Sequence, residues 1–315
     1  MTHNQRIVFL VLLTAAVVAG VYLFVPPIAQ DPAYHDFADR RLVLGIPRFG
    51  DVASNLPFTL AGLAGLGALF LGWFGVPAAD ARTRLPYAVF FLGVALVGPA
   101  SAYYHWNPNS GTLFWDRVFL TVAFMGLVAA IVADRIHRGP AAGWVLALLV
   151  GAGFASVLSW SVGAAHGAGD LRAYFLVQFY PLFAVPLVLW QFPRGFRVKS
   201  RFIAWAVGFY VLAKAAELYD ADLFALLGGT VSGHTIKHLL AALGPVAVIA
   251  MMRTWPRAVA YKYRAAGGAA GRRHVRPDQA CARRAGAGPS LSLAAESPLP
   301  ESKAKRAARP DRPFS

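Results

Sequence analysis

Eight stretches of this chain are apolar for roughly eighteen to twenty residues each, at about 7–25, 51–74, 86–105, 113–133, 143–160, 173–190, 202–219 and 235–252. A run of that length crosses the hydrocarbon core of a bilayer as a helix. The chain is therefore expected to be an all-α, polytopic membrane protein. Composition agrees: 57% of the 315 residues are hydrophobic and only 14% are charged, where soluble domains carry about 25%.

The net charge of +15 suggests nucleic acid at first sight, but its distribution argues otherwise. Residues 253–315 hold 14 Lys/Arg against 4 Asp/Glu, which puts +10 of the total in the tail. The tail is rich in Ala, Gly, Arg, Pro and Ser and shows no apolar periodicity, so it reads as a disordered basic segment. Its first part, with Arg253, Arg257, Lys262 and Arg264, suits either solvent or anionic headgroups. The single Cys281 lies there too, which excludes a disulfide framework and a thiolate metal site. Three parts follow: an N-terminal transmembrane helix (1–30), a seven-helix core (31–254) and the tail (255–315).

The first run competes with a signal peptide. Its apolar stretch is longer than the usual h-region, and no small-x-small site follows it, so a retained helix is expected. Loop charges set the orientation. The loops after the second, fourth and sixth runs hold Arg82, Arg84, Arg135, Arg138, Arg194, Arg197, Lys199 and Arg201, against Arg40, Arg41, Arg48 and Arg172 on the other side. Both termini are then cytoplasmic, and an even number of spans is required.

Ionisable residues inside spans are costly and are functional candidates by default. The last span opens Ser232-Gly-His234-Thr-Ile-Lys237-His238. His234 and His238 are four apart and share a helix face. Ser101 and His105 stand four apart at the end of the third span, and Asp116 lies at the start of the fourth. By the charge rule all five reach the outer membrane level. Three neutral imidazoles plus a water make an open zinc site of the catalytic kind. Asp116 is then a candidate general base or ligand orienter, and Ser101 a candidate oxyanion donor. Hydrogen bonding between helices through His and Ser remains the alternative. Lys214 and Glu217 are three apart and suit a local pair, or, with Asp220, polar residues of a pocket. His166 reads as a solvated loop residue. Tyr103, Tyr104, Trp106 and Trp115 fit an interfacial aromatic belt.

The motifs Ser101-Ala-Tyr-Tyr-His105, Phe-Trp-Asp116-Arg and His234-Thr-Ile-Lys-His238, with Phe49-Gly-Asp-Val-Ala-Ser-Asn-Leu56 ahead of them, resemble the alkaline ceramidases. These belong to a group of seven-helix membrane proteins that also includes adiponectin-type receptors. The resemblance covers about residues 34–253. It implies a zinc-dependent amidase acting on a ceramide-like N-acyl lipid that enters sideways from the bilayer. His105, His234 and His238 would hold zinc, Asp116 would handle the water proton and Ser101 would support the oxyanion. Products would be a fatty acid and a sphingoid-type amine. Ceramidases also bind calcium ahead of the first core helix, where this chain offers Asp36, Asp39, Asp51 and Asn55. Arg48 stands where that family has a key Glu, so the resemblance does not carry the calcium site over intact, and Arg48 is instead a candidate to pair with an Asp or to meet an anionic headgroup. The partner implied is membrane lipid, with no nucleic acid and no obligate protein partner. A zinc-containing receptor or sensor, and a transporter using Lys214, Glu217 and Asp220, are the alternatives.

Overall fold

The computed structural model describes residues 1–136 and 141–256. The expectations for the basic tail from residue 257 onward, and for Arg138, lie outside the described residues.

The described chain is almost wholly helical. In order come α1 (His3–Phe24), a 3-10 turn (Pro32–His35), the short hairpin β1 (Leu42–Val43) and β2 (Ile46–Pro47), α2 (Phe49–Ala53), α3 (Leu56–Leu71) and α4 (Ala81–Trp106). Then follow α5 (Ser110–Arg135), α6 (Ala141–Ala165), α7 (Arg172–Gln191), α8 (Ser200–Leu218), α9 (Asp220–Leu226) and α10 (Gly233–Met252). Seven helical segments are long and apolar enough to cross a membrane, with α2 and α3 acting as one. A pair bent by 79°, α8 with α9, makes an eighth if taken as one broken span. The all-α, polytopic architecture expected from the apolar runs is what the chain adopts.

Antiparallel neighbours follow from short loops: α3 packs on α4, α4 on α5 and α5 on α6, while α10 closes the bundle against both α3 and α8. Without a hydrophobic drive between helices in lipid, close packing depends on small residues. Gly62 abuts the Ala95 backbone, Gly93 the Ala123 backbone and Gly126 the Phe90 backbone, leaving no room for a Cβ at any of them. The extra N-terminal helix α1 buries none of its residues. Polar pins hold it to α7: Arg6 donates to Gln191 O, Thr14 meets the Tyr180 hydroxyl at 2.8 Å, and Arg172 donates to Val25 O at 2.8 Å.

The span expected at 202–219 matches α8, and the chain bends immediately after it, at Asp220. Its carboxylate accepts the His234 N–H at 2.7 Å and the Ala38 N–H at 3.0 Å. The chain is thus anchored at the bend, and Gly233 lets the first turn of α10 lie against it. Asp220, expected as a pocket residue, is instead the clasp joining α9, α10 and the loop before β1.

That loop is tied down by Asp39. Its carboxylate accepts from Arg41 Nε at 2.7 Å and Nη2 at 2.8 Å, and from the Gly50 N–H at 3.1 Å. Arg41 also donates to Thr230 O at 2.7 Å. Burial pushes the Asp39 carboxyl up, but the Arg41 and Gly50 bonds outweigh it and hold the group below the ordinary carboxylate range. A depressed folded-state pKa adds stability that is present above the unfolded value of about 4 and lost as pH falls through the folded value. Asp39→Asn should therefore melt at a lower temperature than wild type at pH 7. The two melting curves, followed by circular dichroism, should converge as the pH falls below the ordinary carboxylate range.

Candidate metal centre

His105 comes from the last turn of α4, and His234 and His238 come from the first two turns of α10. The three are 1%, 5% and 3% exposed. Their ring centroids stand 4.6 to 4.9 Å apart, and one ring nitrogen from each lies within 4.8 Å of the others. Among the described residues this is the group of His, Cys, Asp or Glu side chains able to hold a metal ion. His105 Nε2 and His234 Nε2 are 3.2 Å apart. Two nitrogens at metal–ligand distances of 2.0–2.1 Å in a tetrahedron stand about 3.3 Å from each other, so this separation fits a shared ion without rearrangement.

The surroundings orient the rings. His238 Nδ1 meets Ser54 Oγ at 2.9 Å, and Ser54 in turn donates to Asp51 O at 3.2 Å. In that chain Nδ1 carries the proton and Nε2 keeps its lone pair for a ligand. Asp51 Oδ1 accepts from Ser232 Oγ at 2.7 Å and Thr235 Oγ1 at 2.8 Å, which fixes the first turn of α10 against α2. Arg48 has left-handed backbone torsions (φ 50°, ψ 47°). Its guanidinium reaches His105 O at 2.6 Å and Trp106 O at 2.8 Å. A cation on the terminal carbonyls stabilises the end of α4 that carries His105. Arg48 therefore serves the end of α4 rather than an Asp. Phe37 covers the cluster, with its ring edge-on to His105 at 4.5 Å and to His234 at 4.8 Å.

Ser101 lies one turn before His105, and its hydroxyl lies beside the Asp116 carboxylate. Both line the same cavity as His238, about 130 Å³ in volume. All five expected residues are therefore brought to one end of the bundle. Glu217 lines this cavity as well, as a pocket residue; it takes Lys214 on one oxygen and Lys237 on the other.

The four residues considered for calcium do not form one site. Asp36 is exposed beside Arg40, Asp39 is held by Arg41, and Asn55 donates to Asp51 O at 2.7 Å. Only Asp51 Oδ2 and Asn55 Oδ1 remain buried without a partner, and two oxygens fall short of the six to eight that calcium takes. Ser54 and Phe37 were not anticipated. The spacing of Asp51, Ser54 and Asn55 at i, i+3 and i+4 on one helix face was the available signal for Ser54; nothing in the sequence marks Phe37. His166 is exposed, as expected, with Nδ1 on Val162 O. Tyr104 is buried, with its hydroxyl 3.0 Å from His35 Nδ1, so it belongs to the core rather than to an interfacial belt.

Comparison of the chain with protein-family models, curated proteins and solved structures finds no match.

Losing a partner that orients a metal ligand typically costs 10–100-fold in metal affinity. Ser54→Ala should weaken binding in a zinc titration by about that factor while leaving the stoichiometry at one. His238→Ala should abolish stoichiometric binding.

Proposed function

We propose that this chain is a metal-dependent intramembrane hydrolase that cleaves the amide bond of a long-chain N-acyl lipid, as its resemblance to the alkaline ceramidases implies. The observation that carries the reading is the meeting of three buried imidazoles with the Ser101–Asp116 pair at the polar end of an otherwise apolar cavity. The donor set is three neutral nitrogens with no thiolate, the composition of an open zinc site. Zinc bound there supplies Lewis acidity and lowers the pKa of a coordinated water toward neutrality.

The remaining roles fall to the chain's own residues. Asp116 takes a proton from the attacking water. The Ser101 hydroxyl, beside Asp116 in the cavity, donates to the oxygen of the acyl carbon as negative charge builds on it. The water oxygen bonds to the acyl carbon, the C–N bond breaks, and the proton held by Asp116 passes to the departing amine nitrogen. Phe37 covers this end.

The acyl chain has a place to go. Below the site the cavity is lined by Phe90, Phe124, Gln178, Tyr210, Ala241 and Pro245, and all six also line a second, nearly apolar cavity of about 130 Å³ that reaches Ile131, Val185 and Ile203. From Asp116 to Ile131 along α5 is fifteen residues, about 22 Å of depth at 1.5 Å per residue. That suits a long chain. The positive-inside rule argues that the histidine end faces outward, with both termini cytoplasmic.

Purified protein should contain one zinc per chain and release fatty acid from a long-chain N-acyl amide. Asp116→Asn and Ser101→Ala should retain the metal and lose about 10²-fold or more in kcat. Stoichiometric zinc with no turnover across a panel of N-acyl amides would overturn the reading. Ala241→Phe narrows the waist between the two cavities. It should lower kcat/KM for long-chain amides by about tenfold or more while sparing short-chain ones, as read in a chain-length series.

A further inference from the structure

Three charged side chains face the cavity and have no part in the chemistry above: Lys214 and Glu217 on α8, and Lys237 on α10. Glu217 serves both lysines. One of its oxygens takes Lys214, and the other takes Lys237 at 2.5 Å. Lys237 also reaches His234 Nε2 at 3.1 Å. A metal on that nitrogen uses the same lone pair, which leaves the ammonium to Glu217 and the cavity.

Arg117 stands behind the opposite wall, stacked on Trp160 at 4.2 Å, on Tyr174 at 4.6 Å and on Tyr34 at 5.5 Å. It is 3% exposed. One nitrogen bonds Gln30 Oε1 at 2.6 Å, while Nε and Nη1 have no hydrogen-bond partner. Tyr34 and Tyr174 are themselves part of the cavity lining. The anions facing these cations are Glu217 and Asp116. Asp220, the next carboxylate on α9, is spent on backbone N–H groups.

Lys214, Lys237 and Arg117 thus outnumber Glu217 and Asp116 by one unit of charge, and a divalent metal only enlarges the surplus. An unbalanced charge within the span of a membrane protein is costly until a counter-ion arrives. The chamber below is nearly apolar, so the counter-ion belongs at the polar end, beside the amine half of the substrate.

We infer that the amide taken by this site carries a carboxylate on its amine half, which makes the substrate an N-acyl amino acid rather than a neutral N-acyl amide. The inference rests on the amidase reading. A carboxylate brings negative charge to the end of the cavity where the surplus lies and accepts from an ammonium group there. Lys214 and Lys237 are the groups that recognise the carboxylate, and Glu217 holds both in place.

The test uses the purified full chain in lipid nanodiscs and an uncleavable pair of ligands in which an ether replaces the amide, a long-chain alkoxyacetate and the matching alkoxyacetamide. Calorimetric titration should show the alkoxyacetate binding about tenfold or more tightly. Lys214→Met should bring that ratio toward one, and Lys214→Arg should keep it. Equal binding of the two ligands by wild type overturns the proposal, and so does a ratio unchanged in Lys214→Met. Hydrolysis of N-acylglycine and N-acylglycinamide is measured alongside. Preference for the alkoxyacetate without cleavage of either amide defeats the amidase reading and leaves the anion site standing. Cleavage of both at equal kcat/KM with a binding ratio of one defeats the anion site and leaves the amidase.

Discussion

One oxygen of the Asp51 carboxylate accepts two hydroxyls, from Ser232 and Thr235, across the gap between the first and last core helices. Asp51 is fully buried. A carboxylate at that position is costly unless it is well bonded, so the two hydroxyls fix the register of α10 against α2. Much else follows from that register. Asp51 O receives Ser54, which points at His238, and Asn55, which closes the turn. Gly50 must lack a side chain, because a Cβ there would stand 2.7 Å from Thr235 Oγ1 and 2.8 Å from Asp39 Oδ2. The loop, α2 and α10 are thus one polar knot, and two of the three imidazoles hang from it.

The opposite end of the bundle is tied by different chemistry. Asp134 accepts the N–H groups of Phe196, Arg197 and Val198, while Arg135 donates to the carbonyls of Phe192, Pro193 and Val198. The charged pair organises the α7–α8 connection through these backbone groups and the Ser200 hydroxyl. Between the two polar ends the packing is apolar, with close approach through small residues. Pro245 in α10 offers no N–H to Ala241 O, and both residues line the two connected cavities. The helix that carries the imidazoles thus also shapes the chamber below them.

The spans were legible because bilayer thickness leaves a length signature that survives without any tertiary information. His105, His234, His238, Ser101 and Asp116 were legible too, since a polar side chain in such a run has few innocent explanations. The bend at Asp220 was not. The expected span ends at Tyr219, which caps α8, but the tertiary bonds of Asp220 to His234 N and Ala38 N that anchor the bend leave no trace in the sequence. Arg48 was misread for a similar reason. An arginine in place of an expected acid suggested an Asp partner or a headgroup, whereas its partners are carbonyls at the end of α4, 57 and 58 residues away. The joining of Lys237 to the Lys214–Glu217 pair was hidden in the same way, because those residues belong to different helices.

Interhelical hydrogen bonding by histidine is the rival account of the cluster, and the donor inventory bears on it. A neutral imidazole has one donor and one acceptor nitrogen. His238 uses Nδ1 on Ser54. His105 Nε2 and His234 Nε2 face each other at 3.2 Å, Lys237 approaches the same His234 nitrogen, and His105 Nδ1 is buried without a partner. A purely structural cluster would spread its nitrogens over separate partners, since each unpaired buried polar atom costs about 1–3 kcal/mol. Here nitrogens from two helices crowd toward one point while one imidazole nitrogen goes unbonded. A proton shared between the two Nε2 atoms would join that pair and leave His238 outside it. A metal ion would take one nitrogen from each of the three rings, which is why the convergence of all three favours a metal centre over a hydrogen-bonded histidine knot.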